Sequence, residues 1–218
     1  MDTANKNPAD TDFVTAAMML VKPLPISPDV DDNSTKIAGS EYRKARVIVT
    51  TKCDRTCRYC CNSYPHILQQ ARKIQNISDI KGYDEIIITG GEPLLDANRT
   101  LDLIMEAREY NTGASFYLYT AVFTTGVWRI LPWIEGLHYT IHSDASAHDI
   151  GQFENMQRTV GRNKHTHTKS HFLTIANDVS LVVPVIPDVW TQVRTKPFKS
   201  ESECHVPKSE TLFLLKEV

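Results

Sequence analysis

The sequence predicts an α/β protein built around a parallel sheet. Three observations carry that expectation. Short apolar runs alternate with helix-like patterns between residues 45 and 160, the rhythm of βαβ units. Two of those runs, at 46–50 and 85–89, are continuously apolar or β-branched after their first residue rather than alternating, as in strands covered on both faces. Composition is ordinary for a globular chain, with 41% hydrophobic and 23% charged residues, so wholesale disorder and low-complexity structure are excluded. At 218 residues, one domain with additions is the simplest organisation.

Residues 1–40 hold six Asp, three Lys and no Arg or Glu. Pro23, Pro25 and Pro28 break any long element there. This stretch reads as a partly disordered arm, with Phe13–Leu20 left open between docking and disorder. The first strand is expected over Ala45–Thr50, running into a polar loop with three cysteines. A short helix is expected over His66–Gln75 after Pro65, and a second strand over Glu85–Thr89 ending in Gly90-Gly91. Asn98–Tyr110 places Leu101, Ile104 and Met105 on one helical face, with Gly113 as a stop. A strand over Phe116–Thr120 follows, then a helical turn over Gly126–Ile134 that Pro132 ends or kinks. A strand over Leu137–Ile141 and a helix over Ala147–Val160 complete the regular part. Beyond residue 163 the rhythm weakens. His171–Ile175 and Ser180–Ile186 both look strand-like with four residues between them, too few for a parallel crossover, so either they form a hairpin or one of them is an irregular approach. Thr211–Leu215 is a candidate last strand. The resulting division is arm 1–40, core 41–187 and C-terminal extension 188–218.

The longest apolar run, Phe13–Val21, is broken by Thr15. It falls far short of the roughly 20 residues that span a bilayer and has no basic flank of a signal peptide. A net charge of −2 gives no global reason to expect nucleic-acid or membrane binding. Five cysteines do not make a disulfide scaffold. Three of them within eight residues point to metal in a reducing compartment, and a cytoplasmic location is expected.

Cys53-Asp-Arg-Thr-Cys57-Arg-Tyr-Cys60 has C-x3-C-x2-C spacing in a loop after a strand. Structural zinc takes four ligands, usually as two separated pairs, and here the second pair is missing. Full cysteine ligation of a [4Fe–4S] cluster also needs four thiolates, so three suggest a cluster with one iron left for another ligand. A partial zinc knuckle stays open on spacing alone. Lys52, Arg55 and Arg58 surround the loop and favour thiolates.

Together with Thr89-Gly-Gly-Glu-Pro-Leu-Leu95, this motif resembles the radical S-adenosylmethionine (SAM) enzymes. Their C-x3-C-x-aromatic-C follows the first strand of a partial (β/α)6 barrel, and a Gly-Gly-Glu-Pro turn ends the second. The resemblance is clear from about residue 45 to 145. It implies a partial parallel barrel, possible shortening on the C-terminal side, and an oxidoreductase-type chemistry in which Cys53, Cys57 and Cys60 bind three irons of a [4Fe–4S] cluster. SAM would chelate the fourth iron and, on reduction by an external flavodoxin- or ferredoxin-like donor, yield a 5′-deoxyadenosyl radical. Tyr59 would flank the adenine. Gly90 and Gly91 would let the backbone approach the methionine moiety, and Pro93 would shape the turn. Glu92 would orient that turn or pair with the SAM ammonium. Thr120 is all that remains of a Thr-Asn-Gly sequence common in relatives, so a SAM-carboxylate contact there is a weaker expectation. His142, Ser143 and Asp144 follow the fourth expected strand, where a ribose contact is common; helix capping by Ser143 or Asp144 is the alternative. Val183–Ile186 would either line the adenine or pack in the core.

Residues 155–175 carry Arg158, Arg162, Lys164 and Lys169 without an acid, interleaved with His165, His167 and His171. A solvated basic turn and a phosphate-facing loop are both compatible with this. The substrate is not legible in any motif; a nucleotide or other phosphorylated molecule is one expectation, and a protein partner, as for a glycyl-radical-type activase, is another. A non-catalytic zinc or iron–sulfur module is the reading from a different class.

Overall fold

The computed structural model describes residues 42–162, 170–197 and 199–216. The expected arm and the basic residues Lys164, His165, His167 and Lys169 lie outside them.

Among the described residues eight strands run in chain order: β1 (Lys44–Ile48), β2 (Arg72–Ile74), β3 (Glu85–Thr89), β4 (Ser115–Thr120), β5 (Gly136–Ile141), β6 (Phe172–Ala176), β7 (Gln192–Lys196) and β8 (Glu210–Leu215). The helices are α1 (Pro65–Gln70), α2 (Ala97–Tyr110), α3 (Val127–Ile130) and α4 (Ala147–Arg162). All pairings are parallel, in the order β2-β8-β1-β3-β4-β5-β6-β7. The sheet is open, with β2 and β7 at its edges. The fold class is therefore the expected parallel α/β architecture of partial-barrel type. It continues through β7 and β8 instead of stopping short.

Parallel crossovers are right-handed, so the direction of travel across the sheet decides which face each connection covers. From β3 to β7 the chain steps one way. Along that path Leu101, Ile104, Ile130, Phe153 and Met156 bury one face against Ile86, Ile88, Phe116, Leu118 and Tyr139. The steps from β1 to β2 and from β7 to β8 go the other way, so their connections cover the opposite face. There Ile67 of α1 and Cys204 pack on Ile48 and Leu212. Each fully buried Ile contributes about 1.5–3 kcal/mol, so the larger first cluster dominates the stability.

The structure differs from the simplest reading in three places. The helix over His66–Gln75 ends at Gln70, and Arg72–Ile74 forms edge strand β2, paired with β8. Over 171–186 the hairpin does not form and the other alternative holds: Phe172–Ala176 is a strand and Ser180–Ile186 is irregular. Residues 177–182 turn, and β6 pairs in parallel with β7. The fifteen residues between these strands suffice for a crossover without a helix. Val183–Ile186 is therefore not a strand: Val183 is buried in the main core while Ile186 is exposed. Residues 188–218 contribute β7 and β8 to the same sheet.

The basic segment is also relocated. α4 starts above the C-terminal end of β5 and returns to the N-terminal end of β6, so Arg162 and His171 lie at the end of the sheet opposite the cysteine loop. Arg158 pairs with Glu154 at 3.6 Å and His171 is buried. Arg158, Arg162 and His171 therefore do not border a site at the cysteine end.

Candidate cluster and cofactor site

The β1–β3 ladder continues past the strand ends and builds the site. Val49 N–H donates to Thr89 O at 2.9 Å, Gly91 N–H to Thr50 O at 2.8 Å and Glu92 N–H to Lys52 O at 2.8 Å. The cysteine loop and the Gly-Gly-Glu-Pro turn are thus one backbone unit. This explains the glycines. A Cβ on Gly91 would lie 2.0 Å from Lys52 O, and one on Gly90 would lie 2.4 Å from Thr50 O, both well inside contact distance. The close approach they permit is to the cysteine loop, where the sequence suggested the methionine moiety. The Gly90 carbonyl accepts from Asn62 Nδ2.

Glu92 is buried and fully engaged. Its carboxylate accepts from Leu94 N–H at 2.9 Å, Thr120 Oγ1 at 2.7 Å and Ala121 N–H at 3.0 Å. Burial pushes its carboxyl up, against the pull of these three donors. Of the two roles expected for Glu92, orienting the turn is the one its contacts serve. Thr120 Oγ1 is in hydrogen-bond contact with Glu92 and with Val122. Pro93 is buried, and its carbonyl accepts from Thr100 Oγ1 of α2 at 2.7 Å.

Cys53, Cys57 and Cys60 are free thiols, Cys53 exposed and the others half-buried. Arg55 N–H donates to Cys53 Sγ at 3.4 Å and the Arg55 guanidinium donates to Cys57. Burial raises both thiols; the Arg55 contacts pull them back only in part. Among the described residues no three ligating side chains converge on a single ion. Three thiols on one loop are a donor set that a [4Fe–4S] cluster can take, each thiolate on a different iron. The remaining cysteines, Cys61 and Cys204, are bonded to each other with their Cα atoms 6.2 Å apart. Neither is available as a ligand in this state.

The motif spacer residue Arg55 turns out to be a hub. It pairs with Asp149 at 2.6 Å and Asp144 at 3.7 Å. Burial opposes its charge, and Cys57 and Asp149 more than offset that. Asp149 is held below the usual carboxylate range: burial pushes it up, but Ser146 and Arg55 outweigh burial. Ser146 and Asp149 exchange hydrogen bonds of 2.7–3.2 Å that cap α4. Capping therefore falls to Ser146 and leaves Ser143 and Asp144 clear of that duty. Asp54, Arg55, Asp144, His148, Asp149 and Gln152 line a cleft of about 280 Å³. Three carboxylates around one guanidinium suit a cation or sugar hydroxyls better than a phosphate. His142 stands beside this region, its imidazole pushed down by burial and by Arg55. Tyr59 is half-buried under Arg58, 5.2 Å from the ring centre. A larger cleft of about 630 Å³ runs along His66 and residues 200–204 and touches none of the three thiols.

Asn62, Ser146 and Asp149 were not singled out from sequence. Only the Ser-x-x-Asp spacing of the latter two carried a signal, that of a helix start.

Residues 37–129 match the family model of a 4Fe-4S single cluster domain; this stretch contains both motifs. Among solved structures the chain is similar to BtrN, crystallised in complex with AdoMet and 2-DOIA. Identity is 21%, the TM-score is 0.44, and the match covers 71% of this chain and 70% of that one. No curated protein matches the chain. Among the described residues no helix is long and apolar enough to cross a membrane.

Proposed function

We propose that this chain is a radical SAM enzyme. Its cofactors are a [4Fe–4S] cluster held by Cys53, Cys57 and Cys60, and S-adenosylmethionine. When bound and reduced by an external flavodoxin- or ferredoxin-like donor, they supply homolysis of the sulfonium C–S bond, giving methionine and a 5′-deoxyadenosyl radical that takes hydrogen from substrate. The observation that carries the reading is the hydrogen-bonded unit of cysteine loop and Gly-Gly-Glu-Pro turn, within a region matching a 4Fe-4S single cluster domain.

The chain's own residues divide the remaining work. Glu92, Thr120 and Asn62 hold the turn. Arg55 fixes the cysteine loop against α4 and donates to Cys57, which offsets negative charge on the thiolates. The acidic cleft presents Asp144 and Asp54 to a sulfonium-bearing ligand and its ribose hydroxyls, with Ser143, His142 and Tyr59 near its margin.

Anaerobic reconstitution followed by iron and sulfide analysis, then incubation with SAM and dithionite, tests this. The expected outcome is about four irons per chain and release of methionine with 5′-deoxyadenosine. Cys53→Ala, Cys57→Ala and Cys60→Ala are each expected to lose both. Zinc without sulfide, or full iron loading in Cys57→Ala, would refute the assignment.

A further inference from the structure

Arg55 touches two of the three free thiols and two carboxylates. Its backbone N–H donates to Cys53 Sγ at 3.4 Å, and its guanidinium donates to the Cys57 thiol. Nη1 holds Asp149 Oδ1 at 2.6 Å, and Nη2 lies 3.7 Å from Asp144 Oδ1. Only 11% of the side chain is exposed. Nε is buried and finds no acceptor among the described residues. Buried N–H groups are nearly always paired, and a guanidinium kept from water is costly unless its donors are used. The acceptor chemistry that adjoins it is sulfur, because Cys53 and Cys57 both touch this residue.

The surroundings of the thiols otherwise disfavour added negative charge. Beyond burial, the fields of Glu92 and Asp54 oppose it at Cys53, and that of Asp144 opposes it at Cys57. Lys52 and Arg58 are exposed, where water and salt screen them. Arg55 acts at hydrogen-bond range with its side chain largely out of water, where Coulomb interactions are stronger. Asp149 tempers that charge and is itself held in place. While its Oδ1 accepts from Arg55, its Oδ2 accepts from Ser146 N–H at 2.7 Å and from Ser146 Oγ at 2.8 Å. The start of α4 therefore fixes one carboxylate against the cation that touches the cysteine loop. A cluster on these thiols gains one negative charge on reduction, so the balance between Arg55 and Asp149 bears directly on the electron it accepts.

We propose that the Arg55–Asp149 pair sets the reduction potential of the cluster: Arg55 raises it, and Asp149 limits the rise. The proposal rests on the radical SAM reading and deepens it, because it assigns to two residues how strong a reductant the enzyme needs. One electron leaves the external flavodoxin- or ferredoxin-like donor and enters the cluster; no proton moves and no bond is broken in this step. Hydrogen bonds to the sulfurs and nearby charge are among the levers that set such potentials. Arg55 donates to a ligand sulfur and favours the more negative, reduced form. Its buried Nε is a further donor that cluster sulfur can satisfy. Asp149 acts through Arg55 and is a positioning residue.

Potentiometric titration of the anaerobically reconstituted full chain, followed by the paramagnetic resonance signal of the reduced cluster, reads the potential without turnover. Arg55→Gln keeps hydrogen-bond donors but no charge, and is expected to lower the potential. Asp149→Asn keeps a capping side chain for α4 and an acceptor for Arg55, and is expected to raise it. Each shift is expected to change the reduced-to-oxidised ratio at a fixed potential about tenfold, which is about 59 mV for a one-electron couple. Where Arg55→Gln loads too little iron to titrate, Asp149→Asn decides alone. Potentials equal to that of the wild type would overturn the proposal. Shifts of the same sign in both variants would also overturn it, because they would show that the pair only shapes the loop. Iron and sulfide content and SAM cleavage by the wild-type protein are measured on the same preparations. A wild type that holds its cluster and cleaves SAM, with variants of unchanged potential, sinks this inference alone. A wild type that forms no [4Fe–4S] cluster sinks the radical SAM reading and this inference with it.

Discussion

Replacing His138 by Gln should make folding stability less sensitive to mild acid. In the folded chain the imidazole is pushed from 6.5 to about 3, chiefly by burial and then by Arg46, Arg194 and Lys196. A base depressed in the folded state binds fewer protons there than in the unfolded chain. Its contribution is therefore intact above pH 6.5 and is lost as pH falls from 6.5 toward 3. Between pH 7 and 5.5 the unfolded imidazole becomes mostly protonated while the folded one does not, which costs about 1 kcal/mol. Gln retains a hydrogen-bonding group for Thr174, whose Oγ1 lies 2.8 Å from His138 Nε2, and does not titrate. Urea unfolding of the reconstituted protein, anaerobically at both pH values, gives the loss for each form. The wild type should lose about 1 kcal/mol more than His138→Gln, since contributions of the other histidines cancel in the difference. Equal losses would show that His138 is open to solvent protons and that the cations of β7 do not act on it.

Gly91→Val should cut iron loading severalfold, because a Cβ already collides with the Lys52 carbonyl and the backbone cannot yield without breaking the bonds to Thr50 and Lys52. Full iron content with impaired SAM binding would instead favour the role suggested by sequence. Glu92→Gln leaves one acceptor oxygen where two are used and should cost about 1–3 kcal/mol in urea unfolding; a change below about 0.5 kcal/mol would mean the amide finds an equivalent arrangement. Cys204→Ala removes a link across a sequence separation of 143 and should lower stability by about 2–4 kcal/mol while iron per chain is unchanged. Loss of iron in that variant would implicate Cys204 or its partner in the cluster.

The parallel sheet and the two motifs were legible because their residue types are dictated locally. Continuous apolar runs mark doubly covered strands, and three thiols on one loop have few uses. What escaped was set by long-range geometry. β2 has three residues and one buried side chain, too little for a periodic signal. β7, Gln-Val-Arg-Thr-Lys, has no fully buried residue and reads as a polar loop; the apolar Ser180–Ile186 stretch looked more like a strand and is not one. The glycine pair was recognisable, yet its reason was not, because the carbonyl it approaches lies some forty residues earlier in sequence. Arg158 and Arg162 were displaced by topology: once α4 is a full crossover helix, its far end must lie away from the cysteine loop.

The placement of β8 bears on the timing of synthesis. This strand is translated last of the eight, yet it is inserted between β1 and β2. Until it emerges, β1, the strand that feeds the cysteine loop, has an unpaired edge, and β2 has no partner at all. Roughly 160 residues separate β1 from β8, which at about 5–20 residues per second is on the order of 10–30 s of elongation. During that interval the thiols are present on a half-supported loop. Cluster insertion would then wait for β8 rather than accompany the growth of the chain before it, and a stalled product lacking β8 would expose three reactive cysteines beside a bare strand edge.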